Sequence, residues 1–342
     1  MKKILILGAG SMGSAFSVPC IDNGNEVHLC GTHLENDLID ILNKNKKFHT
    51  GLKTELPNKL QISKFEELKK IFNSPVDIIV VGVSSLGINW FSKEISKYYK
   101  EGIPIILLTK GLTIIDGKVE TLSKKISNIF LEKGFKNFNI SAIKGPCLAT
   151  GLANKIRTGA VIANKDKVVA QQLKKIISTE YYSMEVSDDI IGVEVAGAIK
   201  NIYSMLIGAS VGLSSTSLKN EIKEKYFLNT AASLIHRSIS EMYNFVSFMG
   251  GKPETVYGLA GLGDLYVSAI GGRNSKMGKY LGEGFLYKDA KENFMKDVTV
   301  EGAELALEIG PSILKLLSIK DYPLMNSILE TICLGKKLKI NW

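Results

Sequence analysis

Apolar residues in the first half of the chain come in short unbroken blocks separated by stretches of helical spacing. Residues 2–7, 26–30, 76–83, 104–109 and 139–144 are predominantly apolar without clean alternation, the pattern of strands covered on both faces in a parallel sheet. Between the first two blocks, Ala15, Phe16, Val18 and Ile21 recur at helical spacing, and a lysine-studded amphipathic helix is predicted over about 118–133. Two more strands are expected at 159–163 and 182–186. Strands alternating with helices predict an α/β fold, a Rossmann-like doubly wound parallel sheet with right-handed crossovers. From Ile190 to Leu213 nearly every residue is apolar or small, which predicts a helix buried on most sides. Beyond it only helices are expected, at 225–249, 275–280, 287–295, 301–317 and 324–334. The chain therefore divides into an N-terminal Rossmann-like domain over 1–190 and an all-helical C-terminal domain over 191–342.

Composition narrows the function classes. A chain of 342 residues with 45% hydrophobic and 23% charged residues has enough apolar material for two cores and is neither disordered nor fibrous. The net charge of +9 is spread over lysines interleaved with acids, without an arginine-rich block, so a small anionic ligand accounts for it and nucleic acid is not an expected partner. The opening apolar run breaks into Gly-Ala-Gly too soon for a signal peptide. The 190–213 run approaches the length of a membrane span, but Glu194, Lys200 and Asn201 inside it oppose insertion. A cytoplasmic protein without an integral membrane segment is expected. Cys20, Cys30, Cys147 and Cys333 and the four histidines lack metal-ligand spacing, so reduced thiols and no metal site are expected.

The chemistry-bearing residues sit at strand ends and in the long helix. Gly8-Ala9-Gly10-Ser11-Met12-Gly13 lies between the first strand and the first helix, the context a dinucleotide fingerprint requires. Gly8 permits the tight turn, Gly10 the approach of a pyrophosphate, and Gly13 close helix–strand packing, while the free amides at the helix start receive the phosphates. After the second strand an acid would favour NAD and an arginine NADP; Thr32 and His33 stand there instead, leaving both cofactors open. Other strand ends carry Ser84, Lys110 and the Lys144-Gly145-Pro146-Cys147 segment. Lys200 and Asn201 lie mid-helix, where an ammonium group is costly unless it is paired or reaches the surface. A glycine-rich loop at 258–263 leads into Asp264, and Gly271-Gly272-Arg273-Asn274 reads as a turn.

Taken together, Gly8-x-Gly10-x-x-Gly13, Lys110-Gly111, Gly145-Pro146, Gly192-Val-Glu-x-x-Gly197-Ala-x-Lys200-Asn201, the 258–265 segment, Gly272-Arg273-Asn274 and Val300-Glu301-Gly302 resemble the NAD(P)-dependent glycerol-3-phosphate dehydrogenase family over almost the whole chain. The resemblance implies reversible hydride transfer between NAD(P)H and dihydroxyacetone phosphate, giving sn-glycerol 3-phosphate for phospholipid synthesis. It implies Lys200 as general acid and base, Lys110 beside the carbonyl, and Asp264 as the partner of Lys200. Substrate contacts would come from Lys110, Asn201, Ser268, Arg273 and Asn274. The cofactor would be held by the 8–13 loop, Thr32, His33, Ser84, Lys110, Cys147, Arg273 and Glu301. A homodimer is the expected assembly, as symmetric pairs are the commonest oligomers.

The match departs from the family at Cys147, where serine or threonine is usual, at Gly151, where glutamate is usual, and at Ser268, where threonine is usual. An insertion of about ten residues falls within 214–228; loop insertions are cheap thermodynamically. It motivates an alternative reading, a longer polyol or ketose phosphate as substrate, while Cys147 and Gly151 motivate a weakened NAD(P)-binding regulator. Arg237 is a second candidate for anion contact.

Overall fold

The computed structural model describes residues 1–217 and 223–341. Among the described residues the strands are β1 (Lys3–Leu7), β2 (Glu26–Cys30), β3 (Phe48–His49), β4 (Thr54–Glu55), β5 (Gln61–Ser63), β6 (Ile78–Val81), β7 (Pro104–Leu107), β8 (Leu112–Ile115), β9 (Lys118–Thr121), β10 (Asn139–Lys144), β11 (Thr158–Ala163) and β12 (Tyr182–Ser187). Early helices are α1 (Ser11–Asp22), α2 (Asn36–Lys44), α3 (Leu68–Ile71), α4 (Ile88–Ile95), α5 (Leu122–Glu132), α6 (Ala149–Ala153) and α7 (Lys167–Ile177). Later ones are α8 (Ile190–Ser217), α9 (Lys223–Phe248), α10 (Asp264–Ile270), α11 (Arg273–Gly282), α12 (Tyr287–Phe294), α13 (Glu301–Leu316) and α14 (Pro323–Cys333).

Two compact units result. The first comprises Met1–Lys110 and Leu122–Ile190, the second Gly111–Thr121 and Ile191–Trp342. The β8–β9 hairpin thus goes with the later residues, although it is threaded into the first half of the chain.

In the first unit one eight-stranded sheet runs in the order β12-β11-β10-β7-β6-β1-β2-β5. Neighbours from β10 to β5 are parallel, β10 and β11 are antiparallel, and β11 and β12 are parallel again. The sheet is therefore doubly wound and parallel except for one reversal. The unbroken apolar blocks explain the layering. Ile4, Ile6, Val80 and Ile106 bury into the core on one face, and Leu5, Leu7, Val81 and Leu107 into the core on the other. The amphipathic helix expected over 118–133 is shorter: Lys118–Thr121 is strand β9 and the helix begins at Leu122. Val119 and Thr121 are buried while Lys118 is exposed, so period-two burial prevails there over the helical pattern.

In the second unit α8 is the central helix. Its length and apolarity would suffice to cross a membrane, yet 94% of that window is buried inside the fold, as in a core helix. It packs backbone to backbone with α11. A Cβ on Gly278 would fall on the carbonyl oxygen of Met205, one on Gly282 on that of Ala209, and one on Gly208 on that of Ser275. The buried carboxylate of Glu241, from α9, ties three helices together. It accepts hydrogen bonds from Tyr203 Oη at 3.0 Å, Leu324 N at 2.7 Å and Met325 N at 2.9 Å. The last two are orphan amides at the start of α14, so the carboxylate satisfies that helix end. Burial raises the Glu241 carboxyl above its usual range, against the lowering effect of these donors.

Candidate functional site

The first unit presents a dinucleotide cradle at the carboxyl ends of its parallel strands. Gly8 has φ +113°, and a side chain there would strike the backbone of Gly82, with 2.5 Å from its Cβ to Gly82 C. A Cβ on Gly13 would fall on the carbonyl oxygen of Gly8, so only glycine lets α1 lie this close to β1. Gly10 is different: its side-chain position is open except for Glu35 Oε1 at 3.7 Å. No side chain caps the start of α1, which leaves its first-turn amides to an anion. Ser14 Oγ donates to Ala9 O at 2.8 Å and fixes the loop from within. These observations fit a bound dinucleotide.

A short hairpin, β3–β4, lies against this loop. A Cβ on Gly51 would come within 3.4 Å of Ser11 Oγ. His49 is buried, accepts the Leu52 N–H on Nδ1 at 3.2 Å, and approaches Ala9 O through Nε2 at 3.4 Å. The Leu52 bond requires an unprotonated Nδ1, so Nε2 carries the hydrogen. Burial holds His49 below the usual histidine range.

Of the other residues expected on the cofactor, Thr32 is buried, and His33 is exposed with its ring 5.2 Å from that of Trp90. Ser11 and Ser84 are exposed, and Met12 and Cys147 are half-buried. Lys110 is half-buried and closes the first segment of this unit. Beside it in the fold Thr109 Oγ1 donates to Val83 O at 2.6 Å. Sequence reasoning missed Glu35. Its Oε2 accepts from Ala9 N at 3.0 Å and from Thr32 N at 2.7 Å, linking the glycine loop to the end of β2. The signal was an acid three residues beyond Thr32, past the strand end where an acid is normally sought.

The second unit gathers most of the remaining candidates. Lys200 Nζ, on α8, lies 2.7 Å from Asp264 Oδ1, and the two side chains are only 4% and 3% exposed. Lys200 also donates to Ser268 Oγ, one turn along α10 from Asp264. The 258–263 stretch expected as a loop is a π-helical turn, Leu259–Gly263, running directly into α10 with Asp264 as its first residue. Such turns are uncommon and cluster at functional positions. A second group adjoins the pair through Asn201. Asn201 Nδ2 donates to Glu301 Oε2 at 3.2 Å, and its Oδ1 accepts from Asn274 Nδ2 at 2.9 Å. Asn274 Oδ1 in turn accepts from Gly302 N at 2.9 Å. Arg273 Nη2 pairs with Glu301 Oε1 at 2.8 Å, and both side chains are about half exposed, 53% and 46%. The expected turn at 271–274 is thus the start of α11, with Gly272 at φ +134° aiming the chain.

The arrangement supplies a buried, paired proton donor next to a half-exposed guanidinium that keeps further donors for an anion. The insertion is mostly helical where it is described: α8 continues through Ser217 and α9 begins at Lys223, while residues 218–222 lie outside the described residues. Ser214 is 14 residues beyond Lys200, about 21 Å along a helix axis at the usual rise. Arg237 is on α9 and is exposed. Among the described residues no group of three or more His, Cys, Asp or Glu could hold a metal ion.

Comparison with known proteins places the chain in one family. Residues 3–170 match the family model for the NAD-dependent glycerol-3-phosphate dehydrogenase N-terminus, and 189–340 that for the C-terminus. The chain is 33% identical over 341 residues to the NADP(+)-dependent glycerol-3-phosphate dehydrogenase of Archaeoglobus fulgidus, covering 98% of this chain and 96% of that one. It is 30% identical over 308 residues to a glycerol-3-phosphate dehydrogenase (NAD(P)+) of Shouchella clausii, with 88% and 84% covered. The crystal structure of glycerol-3-phosphate dehydrogenase from Coxiella burnetii superposes with TM-score 0.79 at 28% identity, covering 96% of this chain and 94% of that chain.

Proposed function

Because the chain belongs to the NAD(P)-dependent glycerol-3-phosphate dehydrogenase family, we propose that its residues carry that reaction, with most of the cofactor set in 1–190 and most of the substrate set in 191–342. The protein is an NAD(P)-dependent oxidoreductase acting on a CH–OH group of a small phosphorylated substrate. It interconverts dihydroxyacetone phosphate and sn-glycerol 3-phosphate. The dinucleotide, when bound, supplies or receives the hydride.

The chain's own groups handle binding and the proton. In reduction the Lys200 ammonium donates a proton to the C2 oxygen as negative charge develops there, and the same amine recovers it in reverse. Asp264, 2.7 Å away, holds the amine in place, and Ser268 restricts it from a second direction. Lys110 lies beside the carbonyl and stabilises its charge. Arg273 grips the phosphate with its planar fork, steadied by Glu301, while Asn274 and Asn201 orient a substrate hydroxyl. The loop Gly8–Gly13 with Thr32, His33, Ser84, Cys147 and Glu301 completes the cofactor set.

The observation that carries this reading is the buried Lys200–Asp264 pair, a costly arrangement whose retention also speaks against a regulator that has lost turnover. The helical path away from Lys200 sets the start of the insertion far along α8, which supports the three-carbon substrate over a longer one. The product feeds phospholipid synthesis in the cytoplasm, and the enzyme works as a symmetric pair. The deciding experiment follows oxidation of NADH and NADPH with a panel of phosphorylated ketoses. Turnover with dihydroxyacetone phosphate is expected, and none with that substrate would overturn the assignment.

A further inference from the structure

We infer that Glu35 selects the cofactor, favouring NAD(H) over NADP(H). The inference rests on the dehydrogenase reading and concerns the adenosine end of the same cofactor site. NAD and NADP differ only at the ribose 2′ oxygen, a hydroxyl in one and a phosphate in the other. A carboxylate accepts hydrogen bonds from the ribose diol and repels the phosphate.

In this fold the diol is read beyond the end of β2, next to the glycine loop. Thr32 and His33, the residues at the strand end, offer no carboxylate to the diol. The Glu35 carboxylate folds back to that place instead. Its Oε2 is held by the backbone N–H groups of Ala9 and Thr32, at 3.0 and 2.7 Å, and its Oε1 stands beside the open side of Gly10. Two backbone donors fix the charge, so an incoming phosphate cannot displace it without uncovering both amides.

The segment from the end of β2 through most of α2 brings no cation of its own. Residues 31–43 contain the acids Glu35, Asp37 and Asp40 and neither lysine nor arginine. Lys64, just past the neighbouring strand β5, pairs with Asp40 at 2.7 Å. Lys47 is turned onto the backbone carbonyls of Asn58 and Leu60.

The test is a fluorescence titration of the full chain with NADH and with NADPH, for wild type, Glu35→Gln and Glu35→Ser. Glutamine keeps an oxygen for the Ala9 and Thr32 amides but loses the charge. Wild type is expected to bind NADH at least about tenfold more tightly than NADPH, and Glu35→Gln to shift that ratio toward NADPH by about tenfold. In steady state the change is read in the ratio of kcat/KM for NADH to that for NADPH. Serine, which removes the charge with the long side chain, is expected to shift the ratio the same way. Wild type that binds both reduced cofactors, NADPH as tightly as NADH, overturns this inference alone, without recourse to any variant. A ratio unchanged in both variants, or a parallel loss of both affinities, overturns it as well by reducing Glu35 to a structural tie. Wild type that binds neither dinucleotide overturns the dehydrogenase reading together with it.

Discussion

The ammonium of Lys200 and the carboxylate of Asp264 meet at 2.7 Å in a part of the second unit almost closed to water. Each is tolerable there because of the other: a buried charge left alone costs far more than a buried pair. Lys200→Ala is therefore expected to lower kcat by at least about 100-fold, the ordinary yield of a positioned acid, while cofactor affinity stays close to wild type. Asp264→Ala takes the carboxylate from the buried ammonium while the Ser268 hydroxyl stays, and is expected to cost about 3 kcal/mol in folding stability. Replacing both, as Lys200→Met with Asp264→Leu, is expected to regain most of that stability without activity. Denaturant unfolding of the three variants checks this, and a double variant no more stable than Asp264→Ala would refute the pairing argument.

Arg273 carries a different signature. It is half exposed and already bonded to Glu301, so its loss leaves no buried group unpaired. Arg273→Ala is expected to raise the KM for dihydroxyacetone phosphate by about tenfold to 100-fold, because a phosphate loses a charge-assisted fork, with little change in thermal stability. Steady-state kinetics decide it; an unchanged KM would remove Arg273 from the phosphate site.

The α8–α11 contact leaves no room for a methyl group. Gly278→Ala places its Cβ on the backbone oxygen of Met205, which cannot turn aside as a side chain does. A loss of about 3 kcal/mol, at the upper end of ordinary overpacking, is expected from thermal or denaturant unfolding. A variant as stable as wild type would mean that the two helices can slide apart cheaply.

Acid is expected to loosen the first unit. Burial holds His49 and His28 below the ordinary histidine value of 6.5. The unfolded chain therefore takes up protons first. The stability these rings contribute is full above pH 6.5 and drains away as pH falls toward their depressed folded values. For His49 a local cost adds to burial, since a proton on Nδ1 breaks the bond from Leu52 N. His49→Gln is expected to flatten part of the acid limb of the unfolding midpoint, leaving the part owed to His28. An identical limb in the variant would assign the effect elsewhere.

Much of this was legible in the residues alone, for reasons that can be named. Strand blocks such as Ile4 to Leu7 feed a core on each face, so their composition is unambiguous. Gly8 and Gly13 of the first turn are irreplaceable for steric reasons, and Lys200 in an apolar helix demands a partner. What escaped depended on distance in sequence. Glu35 reaches back to Ala9 across 26 positions. Asn201, Asn274 and Gly302 form a ladder from three separate helices. Lys118–Thr121 opens the lysine-studded stretch that reads as a helix over 118–133 but pairs as a strand with Leu112–Ile115. In each case a long-range contact overrode, or added to, what local pattern specified.

The β8–β9 hairpin leaves the first unit after Lys110 and returns to it at Leu122. Leu112 and Val119 are buried in the core built around α8, whose residues lie some 70 positions further along. A hairpin made early in the chain thus finds its core only in residues made later. No single cut separates the two units into whole pieces: a fragment ending at residue 190 would expose the hairpin, and one beginning at 191 would carry a gap where Leu112 belongs.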